Sequence, residues 1–271
     1  MAPAQGLLER IRHGSVSSSS GSLSSLNNQS SSSQDGLDDE GYGELVGLGL
    51  IAVTSPLWLP PLVVGDDYQQ TASFSPYPYA RFDSAYLNLL AAGSEGNPDA
   101  SFNDPDYLKC WSALLQIEDG NDFNGLNRVG VRAAFDTSLR LGVRSNWDYY
   151  EESLGNGRSD HTLIGDTELT FRFAQTDWLR LYAGAGFRAM EDSQTDRWGF
   201  NFTYGGDAFP VWPLVLSASI DLGDLGDAFV VDARASAGWA WRNAELFIGY
   251  DFRRIGTVNL QGMLGGFRIW F

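Results

Sequence analysis

The sequence predicts an all-β fold. It is an antiparallel, up-and-down transmembrane β-barrel of about ten strands, with eight to twelve as the range, behind a disordered N-terminal region. Three observations lead there. From Lys109 to Phe271 apolar and polar residues alternate with period two, aromatic side chains gather at strand ends, and short turns alternate with longer acidic connections. Period two sends successive side chains to opposite faces of a strand, so each strand has an apolar and a polar face.

The pattern divides into strands over 109–118, 126–136, 138–150, 162–174, 178–189, 197–205, 211–221, 228–241, 244–253 and 258–271. In the second, Val129, Val131, Ala133 and Phe135 oppose Arg128, Gly130 and Arg132. In the third, Leu139, Leu141, Val143, Trp147 and Tyr149 oppose Arg140, Arg144 and Asp148. The fourth sets Leu169, Phe171 and Phe173 against Asp166, Glu168 and Arg172, and the fifth sets Leu181 and Phe187 against Arg180 and Arg188. The eighth sets Phe229, Trp239 and Trp241 against Asp232 and Arg234, and the ninth sets Leu246, Ile248, Tyr250 and Phe252 against Glu245, Asp251 and Arg253.

A soluble barrel fills its bore with the apolar face, whereas a membrane barrel turns that face to lipid and its charges to the lumen. The aromatic positions favour the second arrangement. Trp147, Tyr149, Trp198, Phe200, Tyr250 and Phe252 fall towards one end, and Trp212, Trp239, Trp241 and Phe271 towards the other, all on the apolar face. Amphipathic rings prefer the two membrane–water interfaces. Trp147, Tyr149, Trp198, Trp212, Trp239, Trp241, Tyr250 and Phe271 are therefore the expected interface aromatics. Connection length points the same way: 136–138, 175–177 and 242–243 are short, whereas 119–125, 151–161, 190–196 and 221–227 are longer and acidic. A one-residue slip would turn Arg128 and Arg132 to lipid, at about 2–4 kcal/mol for each at the bilayer midplane.

The N-terminal third is different. Between Ser15 and Ser33, twelve of nineteen residues are Ser, a composition that buries too little apolar surface to offset chain entropy. Residues 1–44 are thus expected to be a disordered Ser-rich leader, 45–106 an apolar, Pro-rich connecting segment and 107–271 the barrel domain. Leu45–Val64 is uncharged, but Pro56, Pro60 and Pro61 argue against a spanning helix. Asp38, Asp39, Glu40 and Glu44 precede it, so it lacks the basic flank of a standard signal peptide.

Composition excludes several function classes. Eighteen basic and 34 acidic residues give a net charge of −16, the wrong sign for a nucleic-acid binder. One cysteine, Cys110, and two histidines, His13 and His161, offer neither an intramolecular disulfide nor material for a zinc cluster, and no metal or cofactor is expected.

The chain ends GGFRIWF, with Phe267, Ile269 and Phe271 on alternate positions. A carboxy-terminal Phe closing an amphipathic strand resembles the β-signal of Gram-negative outer-membrane β-barrel proteins, over roughly residues 109–271. The resemblance implies outer-membrane localisation, lipid contact and handling of the last strand by the barrel-assembly machinery.

The expected lumen-lining set is Arg128, Arg132, Arg140, Arg144, Asp166, Glu168, Arg172, Arg180, Arg188, Asp232, Arg234, Glu245, Asp251 and Arg253. It carries both signs, which suits a self-neutralising structural network. Its excess of arginine also suits a narrow, anion-favouring pore. Either role is non-catalytic. Two alternatives stand beside it. One is a soluble calycin-like barrel binding an apolar ligand. The other is a rim enzyme resembling the ten-stranded omptin proteases, with His161 and Asp160 at the rim; adjacent residues on a strand point to opposite faces, which disfavours that pair.

Overall fold

The computed structural model describes residues 6–14, 59–63, 65–66, 111–122, 125–154, 158–176, 178–192 and 196–271. The Ser-rich tract, residues 45–58 and residues 67–110 lie outside the described residues.

Ten strands form one closed sheet: β1 (Trp111–Asn121), β2 (Leu126–Thr137), β3 (Leu141–Leu154), β4 (Arg158–Gln175), β5 (Leu179–Asp192), β6 (Asp196–Val211), β7 (Leu214–Leu225), β8 (Ala228–Trp241), β9 (Ala244–Ile255) and β10 (Val258–Trp270). Each pairs antiparallel with its sequence neighbours, and β1 pairs with β10 to close the ring. This is an up-and-down barrel, with no free edge left to pair with another chain. The seam is its shortest full ladder, running from Leu114↔Trp270 to Asn121↔Met263. Phe271 and Ala113 extend it by exchanging backbone hydrogen bonds of 2.8 and 3.1 Å. We call the end where β1 begins and β10 finishes the near end, and the opposite end the far end.

The side-chain alternation follows the pleat. Leu169 (72% exposed), Leu246 (68%), Ile248 (65%) and Val129 (51%) point outward, whereas Arg188, Glu168, Glu245 and Arg253 are buried inside. The interior is thus charged and the exterior apolar, the reverse of a calycin-like ligand barrel, and that alternative is set aside. Among the described residues no helix is long and apolar enough to cross a membrane; a closed barrel spans with its strands instead.

Three sequence expectations are corrected. The longer acidic connections are mostly strand: β3 and β4 remain paired out to Leu154↔Arg158, and β7 runs through the DLGDLGD segment to Leu225. A two-residue turn then suffices, because Gly226 adopts φ 63°, the left-handed conformation a tight hairpin needs at its first central position. Likewise β6 continues to Val211 rather than stopping at residue 205. Phe173 is buried beside a register shift between Arg172 and Ala174, its ring 5.3 Å from that of the outward-facing Tyr204. Finally, Leu7–Gly14, within the stretch expected to be leader, is a helix, α1.

The interior is layered. Trp270, Phe209, Val215 and Ala240 form an apolar floor at the near end. Leu126, Tyr150, Ile164, Met190, Leu225, Val230, Ile255 and Leu260 form an apolar collar at the far end, and Leu8 and Ile11 of α1 pack into it. The charged residues lie between.

Candidate functional site

The charged layer is built from cross-strand positions that point inward, and its pairs reach well beyond neighbouring strands. Glu118 on β1 accepts both terminal nitrogens of Arg234 on β8, at 2.7 and 2.6 Å. It also accepts Arg128 at 3.0 Å and Arg132 at 3.4 Å from β2. Asp251 on β9 takes Arg128 at 2.6 Å and Arg234 at 3.1 Å. Arg253 on β9 donates to Asp232 at 2.7 Å, to Asp148 of β3 at 3.1 Å and to the Tyr150 hydroxyl at 2.9 Å. Arg188 on β5 reaches Asp232 at 2.9 Å and lies 3.7 Å from Asp166. Pairs such as Glu118–Arg234 and Asp148–Arg253 act as struts across the bore.

A second group sits nearer the floor. Arg268 donates to Glu245 at 2.9 Å, to Ser236 at 2.8 Å and to Gln116 at 2.5 Å. Arg180 donates to Asp207 at 2.7 Å and lies 3.5 Å from Asp136, which is 3.8 Å from Arg172. Arg140 grips Asp66 through two bonds of 2.6 and 2.7 Å, tying the segment 65–66 to the near mouth. The Thr203 hydroxyl bridges Glu168 and Asp221. Arg144 stacks on the Tyr182 ring, 3.6 Å from its centroid. Among the described residues it has no carboxylate within ion-pair distance.

Sequence reasoning missed Glu118, Asp136, Asp207, Asp221 and Arg268, and it placed Asp148 on the polar face without counting it in the lumen-lining set; all six are buried inside. The period-two rule itself points to them; Asp148, for example, alternates with Trp147 and Tyr149. With these added, carboxylates match arginines in number, and the arginine excess disappears. The charged layer leaves a cavity of about 70 Å³, lined by Arg132, Arg144, Glu168, Tyr182, Asp207 and Asp221 among others. That is room for a few waters, at about 30 Å³ each.

Of the aromatics singled out, Trp198, Trp212, Trp239, Trp241, Tyr149, Tyr250 and Phe271 are exposed on the outer surface. Trp147 is half-buried. Its ring lies over Gly165, its cross-strand partner, where a Cβ would collide with it, and its indole N–H donates to Ser145 at 3.0 Å.

The far mouth holds α1. Glu152 accepts the backbone N–H groups of Leu7 and Leu8 at 2.7 and 2.9 Å, so a carboxylate from β3 caps the positive end of the helix. At the other terminus Arg197 donates to the Arg12 carbonyl at 2.6 Å. Arg12 itself pairs with Asp192 and, at 2.6 Å, with Asp160. Burial disfavours its charge, but the hydrogen bonds it donates to these carboxylates, and their negative charge, outweigh that and raise its pKa above the usual arginine value. His161 is exposed and stacks on Tyr149 with centroids 6.1 Å apart, while Asp160 is engaged with Arg12. The two do not form a catalytic pair. Among the described residues no group of three His, Cys, Asp or Glu is placed to hold a metal.

No protein-family model matches the chain, and neither does any curated protein sequence. Solved structures with a similar course are bacterial outer-membrane proteins. Yersinia pestis Ail in a phospholipid nanodisc has 11% identity and a TM-score of 0.34, covering 60% of this chain and 100% of its own. Neisserial surface protein A has 14% identity and a TM-score of 0.27, covering 59% and 96%. The outer membrane channel DcaP of Acinetobacter baumannii has 10% identity and a TM-score of 0.30, covering 58% and 62%. At these similarities the functional reading rests on the barrel's own geometry.

Proposed function

We propose that this protein is an integral outer-membrane β-barrel whose role is structural, with at most a narrow pore, and that it performs no catalysis. The observation that carries this reading is the Glu118–Arg234 strut and the ion pairs around it, enclosed by an apolar outer wall. A charged, cross-braced bore inside an apolar cylinder is stable only where the surrounding solvent is lipid. The outward Leu169, Leu246 and Ile248 supply the lipid contact, and the exposed Trp and Tyr residues anchor the two interfaces. The last strand ends in Phe271 beside the seam, where the barrel-assembly machinery would receive it.

The bore supports closure more than conduction. The ion pairs brace it in the middle, the Trp270 floor closes the near side and α1 covers the far side. Its matched charges give no basis for an anion preference. Planar-bilayer recording of the full chain tests this directly. The expected trace is silent or shows brief small openings; a large, steady conductance would contradict it. Fractionation with detergent extraction tests the compartment, and recovery in a detergent-free soluble fraction would remove the membrane reading.

A further inference from the structure

We propose that the far mouth is a receptor for a short amphipathic helix and that α1 is its tethered, exchangeable ligand. The mouth recognises every part of such a helix. Glu152 meets the first free N–H groups, and Arg197 meets the last carbonyls. The collar takes Leu8 and Ile11, both fully buried and spaced i, i+3 on one face. Asp160 and Asp192 take the guanidinium at i+4, Arg12. The fit is close at the start of the helix: a Cβ at Gly6 would come within 2.7 Å of the Leu154 side chain. Charge is complementary on balance: α1 carries Arg10 and Arg12 beside Glu9, while the hairpin ends present Glu151, Glu152, Asp160, Glu191 and Asp192 beside Arg158 and Arg197.

Exchangeability follows from how little of the fold depends on α1. The barrel closes through β1 and β10, and α1 adds no strand to that ladder. Eight residues are too few to hold a helix alone, so α1 is helical only while seated. Its attachment is three apolar side chains, Leu7, Leu8 and Ile11, and a few charge-assisted bonds, set against the entropy of ordering the segment. A tethered ligand of this kind is displaced by a free one once the latter exceeds the effective concentration of the tether, on the order of millimolar. With α1 displaced, the far side of the bore is uncovered. That consequence rests on the narrow-pore reading; the receptor itself does not.

The experiment uses the full chain in lipid vesicles, with Cys110→Ser and a nitroxide on Arg10→Cys, an exposed position of α1. The probe is a synthetic peptide of residues 6–14, beside the same peptide carrying Arg12→Glu. Heat-modifiable gel migration confirms that the barrel stays folded. The expected result is an immobilised label that becomes mobile with millimolar native peptide, the Arg12→Glu peptide needing at least about tenfold more, equivalent to about 1.4 kcal/mol. A label mobile from the start shows that α1 is not seated and overturns the proposal. A label still immobile at a large excess of peptide makes α1 a fixed part of the barrel and overturns it too, as does equal displacement by both peptides. Release of the label with no rise in bilayer conductance leaves the receptor standing and sinks the pore.

Discussion

Glu118 and Arg234 face each other across the barrel from β1 and β8, joined by two parallel hydrogen bonds of 2.7 and 2.6 Å. Two further strands separate them around the ring, so the pair braces the bore rather than stitching one ladder. Both bonds come from the same edge of a planar guanidinium, the arrangement with the best-defined geometry among ion pairs. Arg128 and Arg132 share the same carboxylate.

Removing that carboxylate takes one partner from three arginines, leaving Arg128 and Arg234 with Asp251 and Arg132 with Asp148. Glu118→Gln is expected to destabilise the barrel by about 3 kcal/mol, the low end of the cost of breaking a buried ion pair, because each arginine keeps one carboxylate. Urea unfolding in detergent measures it. The double variant Glu118→Gln, Arg234→Gln should cost less than the sum of the two single changes, because it removes opposite charges together.

The outer wall behaves in the opposite sense. Leu169→Arg or Ile248→Arg places a charge on the apolar exterior and should lower stability in bilayers by about 2–4 kcal/mol if the position lies near the midplane. Equilibrium unfolding from vesicles gives the value. The same changes in an aqueous exterior would be nearly neutral, so the size of the effect reports the surrounding solvent.

Gly165 leaves room for the Trp147 ring. Gly165→Ala is expected to push the indole off the sheet and break its hydrogen bond to Ser145, at a cost of about 1–3 kcal/mol for overpacking. Tryptophan emission compared with a Trp147→Phe control should show the shift arising from this one ring.

The seam ladder between Leu114–Trp270 and Asn121–Met263 is shorter than that of β3 with β4, which runs from Leu141↔Phe171 to Leu154↔Arg158. Amide exchange should therefore be fastest, among paired strands, at β1 and β10. Deleting Phe271 removes its two bonds with Ala113 and should speed that exchange further while the other ladders keep their protection.

The barrel was legible because one rule, alternation, governs it from Trp111 to Trp270. Strand order, closure and the inward arginines follow from period two and short connections. Three features were hidden. The register shift beside Phe173 is a one-residue bulge, which alternation alone does not mark. The carboxylates Glu118, Asp207 and Asp221 sat at strand ends or in stretches read as connection, so the interior seemed richer in arginine than it is. The seat of α1 was missed because LLERIRHG is a single short amphipathic turn pair beside a Ser-rich tract, and its partners Glu152, Asp160 and Asp192 are distant in sequence. Those three acids had the look of solvated loop residues; tertiary contact, not local pattern, gives them their role.

Everything depends on lipid lying outside and charge lying inside. A nitroxide scan along β9 from Leu246 to Tyr250, read by collision with oxygen and with a water-soluble nickel chelate in vesicles, tests this most directly. Labels at residues 246 and 248 should collide strongly with oxygen and weakly with nickel, the label at interfacial position 250 should meet both, and those at 247 and 249 should collide weakly with oxygen. The inverse alternation, or nickel access along the whole outer face, would contradict it.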